Sequence, residues 1–301
     1  MLTATPSTLE VVDPGPLSTV QDLGRTGYAH LGVSPSGAAD PESLRLANRL
    51  VGNPAGTPAL ECTLGGLSLR FTAARWVALA GAPASALVDE RPVVDPRRFR
   101  VPAGQVLHLG RPSIGLRSYL AVGGGFLVRR VLGGAGHDVL AGHGPAPLRP
   151  GDELAIGPDR PQPAAPIELA NSRCPSGIAT LRFGWGPRHE LFDAADRERF
   201  TTTRWRISTE SNRIGVRLLG EPLRIGEVRL ASEGMVPGAI QVPPSGEPIA
   251  FLADHPVTGG YPVIGVLTEP DIGLLAQAPP GTAIRFRSIP GTDAPAPVPH
   301  R

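Results

Sequence analysis

Glycine and proline are so frequent in this chain that they leave little room for long helices. The sequence contains 38 glycines and 35 prolines among 301 residues. Glycine raises the entropic cost of ordering a helix and proline cannot continue one, so this density favours short strands joined by many turns. We therefore predict an all-β fold, rich in strands with a few short helices. The length allows two domains, each with its own core.

A repeated turn and strand unit supports this fold class. Pro102–Gly104 precedes QVLHLG, Pro150–Asp152 precedes ELAIG, and Pro280–Thr282 precedes AIRFRS. Each pattern is typical of a turn that fixes the start of a strand whose alternate residues face a core. Such units predict barrels or sandwiches. Further strands are predicted at residues 67–71, 76–81, 116–122, 180–185 and 262–267.

Three short helices are predicted from start and stop signals. Asp40 can cap a helix that has Pro41 in its first turn and ends before Gly52. The other two are predicted at about 187–195 and at 270–278.

Composition also predicts the domain boundaries. Prolines crowd the stretch between Gly157 and Gly177, where apolar periodicity is lost. Such stretches are typical of linkers between domains. We predict a first domain at 1–160, a linker at 161–178 and a second domain at 179–289. The remaining residues, 290–301, lack enough apolar side chains to pack and are predicted to be disordered.

The absence of lysine excludes several chemistries. All 29 basic residues are arginine. A Schiff-base lysine, a Walker-A lysine and a covalently attached biotin are therefore excluded, and anions must be bound by arginine or backbone amides. The arginines are scattered and the net charge is only +2, so we expect no nucleic-acid partner.

The cysteines and the apolar runs predict the compartment. Cys62 and Cys174 are far apart and form no disulfide framework, which fits a reducing environment. The first residues show no basic segment followed by an apolar core, and no apolar run is long enough to cross a membrane. We expect a soluble cytoplasmic protein with no membrane partner.

The segment from Ser18 to Asp40 places polar side chains among glycines. Glycine lets a backbone approach a ligand closely, so Gln21 and Arg25 are candidate binding residues. The guanidinium of Arg25 offers a planar fork for a carboxylate or a phosphate. Asp40 can serve either as a ligand or only as a helix cap, and Asn48 follows on the capped helix.

A second segment of the same kind runs from Gly238 to Val263 and contains five candidate side chains. It can present a ligand-binding surface or simply connect two strands. Neighbours on a strand point to opposite faces, which argues against a hydrogen-bonded pair of Asp254 and His255 and favours Asp254 alone. The candidates are Gln241, Asp254, His255, Thr258 and Tyr261. Both segments are expected to contribute to binding a small anion.

Two other sets of polar residues have open interpretations. Glu61 lies in a strand-like sequence, so it either pairs with an arginine or belongs to a site. His137, Asp138 and His143 could ligate a metal, but no fourth ligand is apparent, and we predict no metal site. The sequence contains no nucleophile elbow, zinc-protease motif or P-loop.

Five motifs carry a resemblance to a known family across nearly the whole chain. In order they read TVQDLGRTGYAHLGVSPSGAAD, ANRLVGNPAGTPALECTLGGLSLRF, SNRIGVRLLG, GAIQVPPSGEPIAFLADHPVTGGYPVIG and LAQAPPG. This set resembles the biotin-dependent carboxyltransferase-type family, which includes the C subunit of bacterial 5-oxoprolinase, the KipA-type proteins and part of urea carboxylase. The resemblance implies two cyclophilin-like β-barrel domains in tandem.

The resemblance also implies an activity. For a free-standing chain, the resemblance most often implies one component of an ATP-dependent complex. That complex opens 5-oxo-L-proline to L-glutamate through a phosphorylated lactam. The resemblance implies a KipI-type partner, a third component of the complex, and ATP, with Mg²⁺, shared with a partner. Two alternatives stay open: a carboxyltransferase component of a biotin-dependent urea or amide carboxylase, and a non-catalytic KipA-like antagonist of a KipI-type kinase inhibitor.

The matched motifs assign roles to individual residues. The catalytic candidates are Arg25 and Arg213, as anion clamps, and Asp254, as an acid, a base or an organiser of phosphate. The candidates for substrate binding are Gln21, Asp40, Asn48, Gln241, Thr258 and Tyr261. One loop departs from the family pattern, because Gly134, Gly136 and His137 stand where serine and threonine are usual. Hydroxyl contacts from that loop are therefore lost.

Overall fold

The computed structural model describes residues 7–158, 174–226 and 230–290. Contacts divide the chain into two compact units: Met1–Tyr28 with Pro35–Cys174, and Ala29–Ser34 with Pro175–Arg301. The second unit thus takes a short segment from the N-terminal half, and the Ser34 hydroxyl donates to the carbonyl of Ala253 at 3.1 Å. Most of the predicted linker and nearly all of the predicted tail lie outside the described residues.

The first unit contains two antiparallel sheets. Its strands are β1 Ser7–Pro14, β2 Leu17–Gln21, β3 Ala59–Thr63, β4 Leu67–Phe71, β5 Arg75–Gly81, β6 Ala84–Val88, β7 Arg91–Pro92, β8 Phe99–Val101, β9 Val106–Pro112, β10 Arg117–Val122 and β11 Glu153–Ile156. One sheet has the order β11-β1-β4-β9-β6-β7 and the other β2-β3-β10-β5-β8. Both sheets bury side chains in one core, as Leu69 and Leu107 from the first and Leu60 and Leu120 from the second show.

Helix α1, Pro41–Leu50, covers the second of these sheets. Its apolar face, represented by Leu44 and Ala47, packs against strand residues such as Ala78. The Asp40 side chain accepts a hydrogen bond from the Ser43 amide at 3.2 Å. The prediction of a helix capped by Asp40 is confirmed.

The second unit is a closed barrel. Its elements are β12 Ala179–Trp185, α2 Ala194–Thr202, β13 Trp205–Ile207, β14 Gly215–Leu219, β15 Glu233–Gly234, β16 Ala239–Gln241, β17 Ile249–Phe251, β18 Thr258–Gly259, β19 Val263–Leu267, α3 Glu269–Ala276 and β20 Ala283–Ser288. The barrel order is β12-β19-β16-β17-β14-β13-β20, and β15 pairs with β18 in a separate ribbon. Closure pairs the strand edges that an open sheet would expose.

The observed elements confirm an all-β fold with short helices. Within the described residues, no helix is long and apolar enough to span a membrane. The helix predicted at 187–195 is wrong in extent. The chain forms a 3-10 turn at His189–Leu191, leaves helical geometry at Phe192 and restarts as α2. The restart has a local cause, because the extended Asp193 caps the new helix by accepting from the Asp196 amide at 2.7 Å.

Candidate functional site

The turn that carries Arg25 is held by a second glycine turn. The Arg25 amide donates to the carbonyl of Pro35 at 2.8 Å. Gly24 and Gly37 lie back to back with φ of 86° and 91°, and a Cβ atom on Gly37 would lie 2.7 Å from the Gly24 nitrogen. Only glycine combines this left-handed conformation with so close a backbone approach.

This contact gives a testable prediction. Gly37→Ala and Gly27→Ala both place alanine in the left-handed region, with φ of 91° and 94°, but a Cβ on Gly27 meets nothing within 4 Å. We expect Gly37→Ala to lower the free energy of unfolding by about 1–3 kcal/mol more than Gly27→Ala, because it also overpacks the backbone. Urea denaturation of both variants measures the difference. Equal losses would show that the close approach adds no cost.

The Arg25 side chain is buried and faces the loop that follows β10. Its guanidinium donates to the Gly136 carbonyl, and its Nη1 lies 3.8 Å from Oδ2 of Asp138, with both side chains 0% exposed. The other Asp138 oxygen accepts from the amides of Leu140 and Ala141 at 2.9 and 3.1 Å. Within the described residues, Nε and Nη1 of Arg25 have no hydrogen-bond acceptor. Nη1 thus lies near the carboxylate of Asp138, and Nε is left without an acceptor among the described residues.

Gln21 lies against the same loop. Its Nε2 donates to the carbonyl of His137 at 2.9 Å, whereas no described residue donates to its buried Oε1. A Cβ on Gly136 would lie 2.6 Å from that Oε1, and one on Gly134 would lie 3.0 Å from Arg25 side-chain atoms. Gly134 and Gly136, which depart from the family pattern, therefore leave the space in which Gln21 and Arg25 lie against the loop.

Asp22 ties the two loops together. One carboxylate oxygen accepts from the Gly24 amide at 2.8 Å. The other accepts from the Ala135 amide at 2.8 Å and from Nη1 of Arg130 at 3.2 Å. The Arg130 side chain is 50% exposed, in contrast to that of Arg25. Asp22 therefore positions the loop backbone around Arg25.

Asp40 and Asn48 lie in a network of hydrogen bonds around α1. Besides capping α1, Asp40 donates a hydrogen bond from its backbone amide to the hydroxyl oxygen of Tyr119 at 2.8 Å. The Asn48 side chain is fully buried, and its amide donates to the carbonyl of Thr57 at 2.8 Å. Its Oδ1 accepts from Asn53 at 3.1 Å. These contacts support the helix and the following loop, and ligand binding by either residue stays a prediction.

Glu61 is the centre of that network. It accepts from the Tyr119 hydroxyl at 2.8 Å and from the Ala39 amide at 2.9 Å, and it lies 3.4 Å from Nε of Arg117. The interpretation that Glu61 pairs with an arginine is confirmed. Burial and the charges of Glu61 and Asp40 raise the pKa of Tyr119 well above its usual value, so its hydroxyl stays protonated and can donate. Sequence reasoning missed Tyr119, because nothing marks it beyond its place in a buried strand.

Arg213 and Asp254 form a buried ion pair in the second unit. Nε of Arg213 donates to Oδ2 of Asp254 at 2.9 Å and Nη2 donates to Oδ1 at 3.1 Å. The side chains are 2% and 0% exposed. The neighbouring His255 directs its Nδ1 toward the carbonyl of Pro256 at 2.8 Å, so Asp254 and His255 are oriented to different partners, although both lie in the turn after β17 and not on a strand. Two residues expected to act separately on a ligand are thus bound to each other.

Gln241, Thr258 and Tyr261 come together elsewhere in the second unit. Nε2 of Gln241 donates to the Tyr261 carbonyl at 3.0 Å. A Cβ on Gly259, the neighbour of Thr258, would lie 2.6 Å from the same Nε2. Gln241 is buried, whereas Thr258 is exposed and Tyr261 is 48% exposed. The buried amide therefore braces a turn that presents a hydroxyl and a phenol to solvent.

Two other kinds of chemistry find little support in the described residues. Across 7–158, 174–226 and 230–290, no group of three or more His, Cys, Asp or Glu side chains is placed to hold a metal ion. Burial raises the pKa of Cys62 to about 12 and that of Cys174 to about 11. Both thiols are protonated at neutral pH, which argues against a thiolate nucleophile.

Comparison with known proteins places this architecture in a family. Residues 31–288 match the family model described as "Carboxyltransferase domain, subdomain A and B". The chain belongs to this family. It is 41% identical over 288 residues to the C subunit of 5-oxoprolinase from Escherichia coli strain K12, covering 92% of this chain and 90% of that protein. The family resemblance inferred from the five motifs is confirmed.

Solved structures show the same fold within longer chains. The crystal structure of TTHA0988 matches 96% of this chain with a TM-score of 0.85 and 35% identity, and this chain spans 57% of that one. The crystal structure of the Kluyveromyces lactis urea amidolyase matches 95% of this chain with a TM-score of 0.85 and 30% identity. This chain spans 19% of that one. The same fold thus also occurs as part of larger polypeptides.

Proposed function

We propose that this chain is the C subunit of an ATP-dependent 5-oxoprolinase, a complex that hydrolyses a cyclic amide. The observation that carries the proposal is the 41% identity to the Escherichia coli protein over 92% of this chain and 90% of that protein. The urea amidolyase relatives are less similar, at 32% identity, and this chain covers only 16–17% of them. The proposal places the protein in the cytoplasm, with a KipI-type protein and a third component of the complex as partners.

The proposed reaction needs activation of a poor electrophile. The carbonyl of 5-oxo-L-proline is a lactam, and phosphorylation of its oxygen would create a good leaving group before water attacks to give L-glutamate. Such chemistry depends on cationic donors held in place for the carboxylate and the transferred phosphoryl group. We propose that ATP and its Mg²⁺ are held together with a partner protein. This chain has no lysine, so it carries no covalently bound biotin.

Arg25 and Gln21 are the groups that we assign to the substrate in the first unit. The buried guanidinium of Arg25 has Nε without an acceptor among the described residues and Nη1 3.8 Å from Asp138, and we propose that this cation receives a carboxylate or a phosphoryl oxygen. Oε1 of Gln21 is likewise without a donor there and can accept the N–H of a lactam. Arg25 thus acts as an anion clamp and Gln21 as a positioner.

The second unit contributes differently. Thr258 and Tyr261 are exposed, and we assign them to substrate positioning, with Gln241 bracing their turn. Arg213 donates to both carboxylate oxygens of Asp254. We therefore propose that this pair positions the surrounding loop, in place of separate roles as a clamp and an acid or base.

Reconstitution with the KipI-type protein and the third component tests the proposed function. We expect release of ADP and L-glutamate that depends on 5-oxo-L-proline. No turnover by a fully assembled complex would refute the proposal. The family likeness to urea amidolyase makes biotin-dependent carboxylation of urea or a small amide the second candidate, and this would require a separately biotinylated partner. Binding to a KipI-type partner without either activity would support the non-catalytic KipA-like role.

A further inference from the structure

A cavity of about 290 Å³ opens beside α2 in the second unit. It is formed by the end of β12, the 3-10 turn His189–Leu191, one face of α2 and the end of β20. Its lining residues are Trp185, His189, Arg197, Glu198, Thr201 and Ser288. None of them belongs to the groups assigned above to 5-oxoproline. The volume lies just below the range for ligand pockets, about 300–1,000 Å³, and suits a small metabolite.

The cavity contains an arginine that is not committed to an ion pair. Arg188 and Arg199, which lie nearby in the sequence, pair with Glu233 and Asp196. Arg197 is half-buried, and it pairs with no carboxylate among the described residues. A partly desolvated guanidinium without a counter-charge is a ready donor for a ligand carboxylate.

The same cavity offers partners for a cation. Glu198 contributes a carboxylate to the lining. Trp185 is half-buried and is fixed by Phe183, whose ring meets it edge-on with centroids 5.0 Å apart. The His189 ring lies 5.7 Å from that of Trp185. A fixed indole face attracts an ammonium group through its quadrupole, and a nearby carboxylate adds to that attraction.

We propose that this cavity binds a small α-amino acid as its zwitterion. Arg197 receives the carboxylate, and Glu198 with the face of Trp185 receives the ammonium group. The opposite charges of two adjacent helix residues match the two charged groups of such a ligand. This inference goes beyond the proposed function and does not depend on it, since it rests on the charges and the aromatic wall of the cavity.

Isothermal titration of the full chain tests the proposal. We expect L-glutamate to bind with millimolar or better affinity. Glutarate, which lacks the ammonium group, and 4-aminobutyrate, which lacks the α-carboxylate, should bind more weakly. Arg197→Ala should weaken L-glutamate binding about tenfold, the loss expected for one charge-assisted hydrogen bond. Glu198→Gln should weaken the binding of L-glutamate without weakening the binding of glutarate.

Arg204→Ala provides the matched control, because Arg204 is an exposed arginine just after α2 that does not line the cavity. It should leave binding unchanged. Equal affinity for glutarate and L-glutamate, unchanged L-glutamate affinity in Arg197→Ala, or no binding of L-glutamate at millimolar concentration would each overturn the proposal. The titration uses neither partner proteins nor ATP. Its failure would therefore leave the 5-oxoprolinase proposal standing, and inactivity of the assembled complex would leave the cavity proposal standing.

Discussion

Asp254→Ala should destabilise the second unit by about 3–5 kcal/mol, because removing one member of a buried ion pair leaves the other charge without compensation. The remaining charge would be Arg213, whose side chain is 2% exposed. Urea denaturation followed by tryptophan fluorescence measures the loss. In a Trp76→Phe background, the remaining two of the three tryptophans, Trp185 and Trp205, both report on the second unit.

An exposed pair in the same unit provides the control for this prediction. Arg217 and Glu210 lie 3.9 Å apart with side chains 55% and 77% exposed, so Glu210→Ala should cost no more than about 1 kcal/mol. Replacing both Arg213 and Asp254 by leucine should recover much of the stability lost in Asp254→Ala, since no lone charge is then buried. If Asp254→Ala is as stable as the parent protein, the pair has no positioning role and a direct role in chemistry regains support.

Arg25→Lys should lower kcat/KM of the reconstituted complex by at least about tenfold, while the chain stays folded. Lysine keeps a positive charge near Asp138 but loses the fork that can donate two parallel hydrogen bonds. Arg25→Ala should reduce kcat/KM further, by about 10²–10⁴, if two charge-assisted bonds of about 1.5–3 kcal/mol each are lost. Steady-state release of ADP and L-glutamate measures both effects.

Arg130→Ala separates this effect from general disturbance of the loop. Arg130 bonds to Asp22 beside the same loop, but its side chain is 50% exposed, so its removal should change kcat/KM only slightly. A low concentration of guanidinium ion should restore part of the activity of Arg25→Ala. Full turnover by Arg25→Lys would remove Arg25 from the site.

The sequence correctly predicted elements of secondary structure that are set by residues close together in the chain. The start of α1 follows from Asp40 and Pro41, and the strand at Leu67–Phe71 follows from its alternating pattern. Prediction failed where two local signals compete, since the helix expected at 187–195 is interrupted by a new cap at Asp193. Candidate residues were predicted without their partners. Arg213 and Asp254 were expected to act separately on a ligand, and the fold pairs them across 41 positions.

The sequence by itself determined the fold class and the family, because turn signals and alternation act over a few residues and the five motifs occur in order. It also determined that no lysine takes part in the chemistry. Only the tertiary structure decided which arginine meets which carboxylate: Arg117 with Glu61, Arg25 near Asp138 and Arg213 with Asp254. The physical reason is that burial requires each charge to find a counter-charge, and strand pairing brings together residues that are far apart in the chain.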